Sequence, residues 1–300
     1  MKALRIIALT ILLCSGIGLQ GIACAQAAGP VEVLSTGMEY STIQAAIDDV
    51  NTSAGDVVLV GSGTYRENVI IDKPVVLLGE NTGEGLPVID GDGGTGISVQ
   101  ANGTTVRGFR VAGSKYGICI TSNNNTVTCN TVFNNTDYGI YLNSSSNNTL
   151  WGNTGRSNGI AGIALYDSSY NSLTGNTANN NTCEGFILFN STFNNLTGNT
   201  ANYNNVWAYG MGIWLYHAHG NTLWLNTFLG NGRNAVCAGA WNNWFSATPG
   251  SYMYNGQIYT NYTGNYWGDY EGCGTNGIGA SPYAISENNV DYYPMLISDY

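Results

Sequence analysis

The sequence is short of charge, of proline and above all of positive charge. Charged residues make up 9% of the 300-residue chain, against about 25% in a typical soluble protein. There are six prolines. Of nine lysines and arginines, Lys2 and Arg5 fall at the extreme N-terminus, and after Lys115 only Arg156 and Arg233 remain. The formal net charge is −10. Nucleic-acid binding needs clustered cations that displace counterions, so that class is excluded, and attraction to anionic lipid is not expected either. Histidine is confined to His217 and His219. No CxxC pair is present, which argues against a structural zinc site. The cysteines beyond the N-terminal leader are Cys119, Cys129, Cys183, Cys237 and Cys273. They are odd in number and their spacing suggests no disulfide framework. They read as small, half-buried core residues with room for one or two bridges.

The N-terminus is built for export. Lys2 and Arg5 precede an apolar run from Ile6 to Leu13, and Ala25-Gln26-Ala27 supplies small residues for cleavage. A membrane span needs roughly 20 apolar residues, and Ser15, Gly16, Gly18 and Gln20 interrupt this stretch. The pattern predicts a signal peptide over 1–27 and no span after its removal, with an uncleaved anchor as the alternative. Cys24 invites a lipoprotein reading, but Gly21-Ile22-Ala23 lacks the aliphatic residue expected three places earlier.

What the chain has in place of charge is a repeat rich in Gly, Asn, Ser and Thr. Segments starting at Gly117, Gly139, Gly162, Gly185 and Gly212 align at intervals of 22, 23, 23 and 27 residues. After each glycine come alternating apolar residues, such as Ile140 and Leu142 or Ile163 and Leu165. A period of two marks a strand with one buried face. A second short strand follows around Leu150, Leu173, Leu196 and Leu223, and a third, weaker stretch leads to the next glycine. Three short strands in about 23 residues form one turn of a coil, stacked about 4.8 Å on the last. The fold class is therefore all-β: a right-handed, single-stranded parallel β-helix.

Asparagines recur in three columns: Asn125, Asn148, Asn171, Asn194 and Asn221; Asn130, Asn153, Asn176, Asn199 and Asn226; Asn135, Asn158, Asn181, Asn204 and Asn231. Asparagine tolerates left-handed backbone, and stacked amides can bond in ladders. The columns are therefore assigned to the corners of the coil. A stacked coil also needs caps. Ser41-Thr42-Ile43-Gln44 reads as a capping box. Ile43, Ala46, Ile47 and Val50 form one apolar helical face, able to cover the first turn. The expected organisation beyond the leader is one domain, 28–300: an N-terminal cap over 28–55, coils over 56–250 and an aromatic-rich closing segment over 251–300.

The STIQAAID start, the GTYRENVII turn, the GICI/GIYL…NNT…GNT coils and the tail GNYWGDYEGCGTNGIGASPYAISENNVDYYPM resemble the pectin-lyase-like superfamily, and more narrowly the NosD-type β-helix domain of archaeal-type surface proteins. The resemblance covers residues 39 to 297. It implies a secreted, periplasmic or cell-surface location. It also implies either a role in copper handling or contact with polysaccharides, which related β-helices bind or cleave. It carries over no fixed catalytic motif.

Chemistry is sparse. Glycosidic cleavage by paired acids needs two carboxylates roughly 5 to 9.5 Å apart. Asp137 and Glu184 fall near one corner but two turns apart, roughly 10 Å, and Asp167 belongs to another corner. Asp90 and Asp92 read as part of a turn. No catalytic residue is assigned. His217, His219 and Met211 are candidate copper ligands, in a turn enlarged around Val206 to Met211 that also holds Trp207 and Tyr209; the equivalent positions elsewhere hold ordinary polar corner residues. Tyr141, Tyr166, Phe189, Trp214 and Tyr216 take outward positions along one sheet, and an exposed aromatic strip points to contact with a ligand. Ten Asn-x-Ser/Thr sequons, from Asn51 to Asn261, mark possible glycan acceptors.

The expectation is an exported, non-catalytic binding or structural module. Its partner would be an extracellular polysaccharide or a surface protein, met through the aromatic sheet. A polysaccharide lyase or hydrolase is one alternative and a periplasmic copper-binding accessory protein the other. No cofactor is assigned, and copper and calcium are the metals left open.

Overall fold

The computed structural model describes residues 30–205, 210–239 and 241–296. The expected signal peptide and residues 206–209 of the enlarged turn lie outside them. The described chain winds into a parallel β-helix with three long sheets of ten, nine and eight strands. Each turn contributes one strand to each sheet. In one turn these are Ser172–Thr174, Thr177–Asn179 and Glu184–Phe189. Most strands of the first two sheets are only three residues long, because a corner follows at once.

Inside the coil, like stacks on like. Val127, Leu150, Leu173, Leu196 and Leu223 line the first sheet in register. Ile140, Ile163, Phe186 and Ile213 do so in the third. All are at most 1% exposed, and each such side chain contributes roughly 1.5–3 kcal/mol by leaving water. The glycine that stands second in the repeat's third-sheet strands has a steric reason. A Cβ on Gly185 would lie 2.6 Å from the Gly212 carbonyl oxygen, 2.7 Å from Ala201 Cβ and 2.9 Å from the Asn204 amide. The glycine thus leaves room for the backbone of the next turn in its own sheet and for the small, fully buried second-sheet residues Ala178 and Ala201.

The corners carry the asparagine columns. Asn176 is representative. Its backbone N–H and its Nδ2 both donate to Asn199 Oδ1, at 2.9 and 3.0 Å, and Nδ2 also donates to the Leu150 carbonyl at 2.9 Å. Its own Oδ1 accepts both amides of Asn153. Each ladder residue thus satisfies a corner amide that no strand could reach, which matters because an unpaired buried polar group costs roughly 1–3 kcal/mol. The residue before each ladder asparagine is left-handed: Asn124, Asn147, Tyr170 and Phe193 have φ of 59, 58, 58 and 54°. A serine column, Ser145, Ser168 and Ser191, adds a further line of amide-to-hydroxyl bonds.

The N-terminal end is closed by the helix Ile43–Asp48, whose Ile43, Ala46 and Ile47 are fully buried. Its cap differs from the expected box. Thr42 is the N-cap and accepts from the Ala45 amide. The amides of Ile43 and Gln44 are taken instead by the Glu67 carboxylate at 2.9 Å each, from the first turn. Gln44 turns outward to bond both the amide and the carbonyl of Ile70. Val50 falls beyond the helix and is 90% exposed, so it is not part of the covering face. An antiparallel hairpin, Val31–Val33 with Met38–Tyr40, extends the first sheet over the same end.

At the other end the last complete turn finishes with Arg233–Ala238. Beyond it Trp244 and Trp267, at 0% and 2% exposure, plug the core. Trp267 stacks on Phe228 and on Tyr283, with ring centroids 5.0 and 4.2 Å apart.

Candidate functional site

The outer face of the third sheet holds the aromatics singled out above. Strand pairing aligns Tyr166, Phe189 and Tyr216 in one outward column, and Tyr141, Ala164, Ile187 and Trp214 in the next. Tyr166, Phe189 and Tyr216 stack nearly parallel, with centroids 5.1 and 5.3 Å apart and planes 18 and 17° apart. Trp214 tilts against Tyr216 at 5.8 Å. All five residues are thus brought together on one face.

The sequence reading missed the third outward column: Tyr116, Tyr138, Ala161, Glu184, Met211 and Arg233. Tyr138 reaches across to share a 3.0 Å hydrogen bond with the Tyr166 hydroxyl. Together with Tyr141, these rings cover Ala161 and Ala164, which are fully buried although they point out of the coil. Burial and this bond raise the Tyr138 hydroxyl well above the ordinary tyrosine range. The aromatic face is therefore a rigid platform with its own small apolar layer. Its most open ring is Tyr216, 36% exposed. The missing signal was the residue just before each repeat glycine, which the alternation count had not placed outward.

Glu184 stands in that third column between Ala161 and Met211. Burial pushes its carboxyl up to about 7. The other two acids considered are occupied elsewhere: Asp137 lies 3.9 Å from Lys115 Nζ, and Asp167 accepts from Asn190 Nδ2 at the same corner one turn on. Asp90 pairs with Arg66 at 3.6 Å.

The copper candidates are dispersed. Met211 opens the strand Met211–Tyr216 and His217 follows its end, so six residues of near-extended chain, about 20 Å, separate them. His217 is left-handed, φ 51°, in the column of Ser144, Asp167 and Asn190, and its ring leans on Tyr216. The two histidines are not on one extended segment: the strand ends at Tyr216 and His217 is left-handed, while His219 lines a groove with Cys237, Trp241 and Glu287. Among the described residues no three His, Cys, Asp or Glu side chains converge as a metal centre requires. The donor set does not fit a resident copper ion held by these three residues.

Residues 47–272 match the model of the family described as periplasmic copper-binding protein (NosD). The chain belongs to this family. Membership makes this NosD-family β-helix an exported protein, periplasmic, secreted or at the cell surface. Among curated proteins it is similar to a cell surface glycoprotein of Methanothermus fervidus, 34% identical over 133 residues, which is 44% of this chain and 21% of that one. The chain spans about a fifth of the length of that relative. Among solved structures it is similar to pectate lyase Pel9A, with a TM-score of 0.53 at 17% identity over 75% of this chain and 68% of that one. It is likewise similar to the A-module of the Azotobacter vinelandii mannuronan C-5 epimerase AlgE4, with a TM-score of 0.51 at 20% identity over 67% and 70%. These two likenesses are of fold. Among the described residues no helix is long and apolar enough to cross a membrane.

Proposed function

We propose that this NosD-family protein is a non-catalytic binding module of the cell exterior, which holds extracellular carbohydrate on the aromatic face of its third sheet. The observation that carries this reading is the near-parallel stack of Tyr166, Phe189 and Tyr216 beside Trp214. Such a row presents a ribbon of apolar ring edges with the Tyr216 hydroxyl at its open end and the Trp214 indole beside it, held by a β-helix that loses little freedom on binding. A surface glycoprotein relative and polysaccharide-acting proteins of the same fold support a saccharide as the partner in preference to a protein.

The competing reading is a polysaccharide lyase or hydrolase with Glu184 as its acid or base. A carboxyl held near 7 suits proton transfer at neutral pH. Against it, paired-acid hydrolysis needs a second carboxylate within about 9.5 Å, and the adjoining positions of the column are Ala161 and Met211. The decisive measurement incubates the protein with a polysaccharide panel, with and without calcium, and follows retained protein and released oligosaccharide together. Retention without products is expected. Released products that vanish with Glu184→Gln would establish an enzyme instead.

A further inference from the structure

The outer face of the first sheet carries a second set of exposed aromatics that the repeat alone does not explain. Strand register puts Trp151, Thr174, Thr197 and Trp224 in one outward column. The two indoles are three strands apart, about 14 Å. Thr149, Ser172, Asn195 and Thr222 form the neighbouring outward column. From Thr126 onward no strand of this sheet contains a charged residue.

The adjoining corner adds two more rings. Tyr170 and Phe193, 59 and 52% exposed, stack with centroids 5.4 Å apart and planes within 15°. Phe193 lies over Gly220, where a Cβ would come within 2.7 Å of the ring. The glycine, itself at φ 64°, is what lets the ring lie flat. Phe193, held between Tyr170 and Gly220, turns its ring edge to a groove of about 510 Å³ that Trp224, Asn195, Thr222, Ser246 and Thr248 also line.

We infer that this groove is a second saccharide site, independent of the third-sheet face, and that its ligand is an uncharged polysaccharide. Sugar rings present apolar C–H faces to aromatic walls and hydroxyls to a floor of amide and hydroxyl groups. The groove supplies both, and the Trp151-to-Trp224 column lets a chain run along the coil axis. Its charge pattern excludes polyuronates. Each uronate would bring a carboxylate to a lining without Lys or Arg, and an ion that loses water without a partner pays heavily. Arg156 and Arg233 belong to strands of the other two sheets. The net charge of −10 adds general repulsion of a polyanion.

The test compares binding of neutral glucan, mannan and galactan polymers with binding of polygalacturonate by four proteins. These are the wild type, Phe193→Ala, Trp224→Ala, and the double variant Trp214→Ala with Tyr216→Ala. Thermal midpoints are recorded for each, and the native protein is examined by mass spectrometry at Asn195. The expected result is that at least one neutral polymer binds, that Phe193→Ala and Trp224→Ala each weaken it at least tenfold with thermal midpoints near wild type, and that the third-sheet variant still binds it. Neutral-polymer binding lost only in the third-sheet variant overturns the groove and leaves the proposed function standing. Binding of polygalacturonate that Phe193→Ala abolishes overturns the assignment of an uncharged ligand. A glycan attached at Asn195 overturns an open groove, since the protein would then fill it itself. No binding to any polymer removes both sites.

Discussion

Asn265 donates its backbone amide, at 2.7 Å, and its side-chain amide, at 3.3 Å, to the same oxygen of Asp291, so the second asparagine ladder ends on a buried carboxylate. Trp267 Nε1 donates to that oxygen at 2.9 Å, and the Tyr293 amide to the other at 3.0 Å. The tail is therefore fastened by continuing the coil's own corner chemistry. The third ladder closes in a similar way: Asn234 donates to Asp269, which also accepts from the Tyr283 hydroxyl.

Asp291 should make stability fall as pH rises. Burial outweighs its hydrogen bonds and raises its carboxyl from 3.8 to about 6. The folded state then holds a proton that the unfolded chain has released between about pH 4 and pH 6, and the advantage is gone above pH 6. The difference is worth at most roughly 3 kcal/mol. Glu184, raised from 4.5 to about 7, acts in the same direction. Denaturation midpoints measured from pH 4 to 7 should decline. Asp291→Asn should be less stable throughout, because its amide must face a donor, and should show a flatter decline. An unchanged slope in that variant would assign the effect to another group.

Ladder positions should be intolerant in a graded way. Asn176→Ala strands the amides of Asn153 and the carbonyl of Leu150, and should cost roughly 3 kcal/mol. Asn176→Asp keeps the acceptor, loses the donors and buries a charge beside Asn199 Oδ1, so it should cost more. Urea midpoints of the two variants give the order, and a smaller loss in Asn176→Asp would mean that volume and acceptance, not donation, are what the site needs.

Two glycines of the same turn should respond differently to alanine. At Gly185 a Cβ meets backbone 2.6 Å away, and the substitution should prevent folding or cost several kcal/mol. At Gly175 nothing lies within 4 Å. Only its left-handed φ of 61° opposes alanine, for about 1–2 kcal/mol. Expression yield and thermal midpoint of the pair separate close approach from backbone strain.

Glu67→Ala should loosen the N-terminal end. It removes both acceptors of the Ile43 and Gln44 amides and should cost about 1–2 kcal/mol. Hydrogen exchange at Ile43 to Asp48 should quicken while the coil from Thr126 onward stays protected. Uniform loss of protection would show that the cap holds the whole coil.

The coil, its period and its corners were legible in the chain. These follow from short-range rules that repeat: alternation sets the inward face, the asparagine columns mark the corners, and identical neighbours one turn apart stack without further instruction. The sequence also placed Tyr141, Tyr166, Phe189, Trp214 and Tyr216 together, since residues at equal offsets in successive turns must adjoin. The rest came from contacts between residues far apart in the chain. Glu67, 24 residues from Ile43, caps the helix in place of a local box. Asp291 receives a ladder whose last asparagine lies 26 residues earlier. Met211 is held away from His217 by the strand between them, and Phe193 at a corner and Trp224 on a strand line one groove. Such pairings depend on which offset residues face one another across a corner or at an open end, where the repeat stops dictating the neighbour and packing alone selects it.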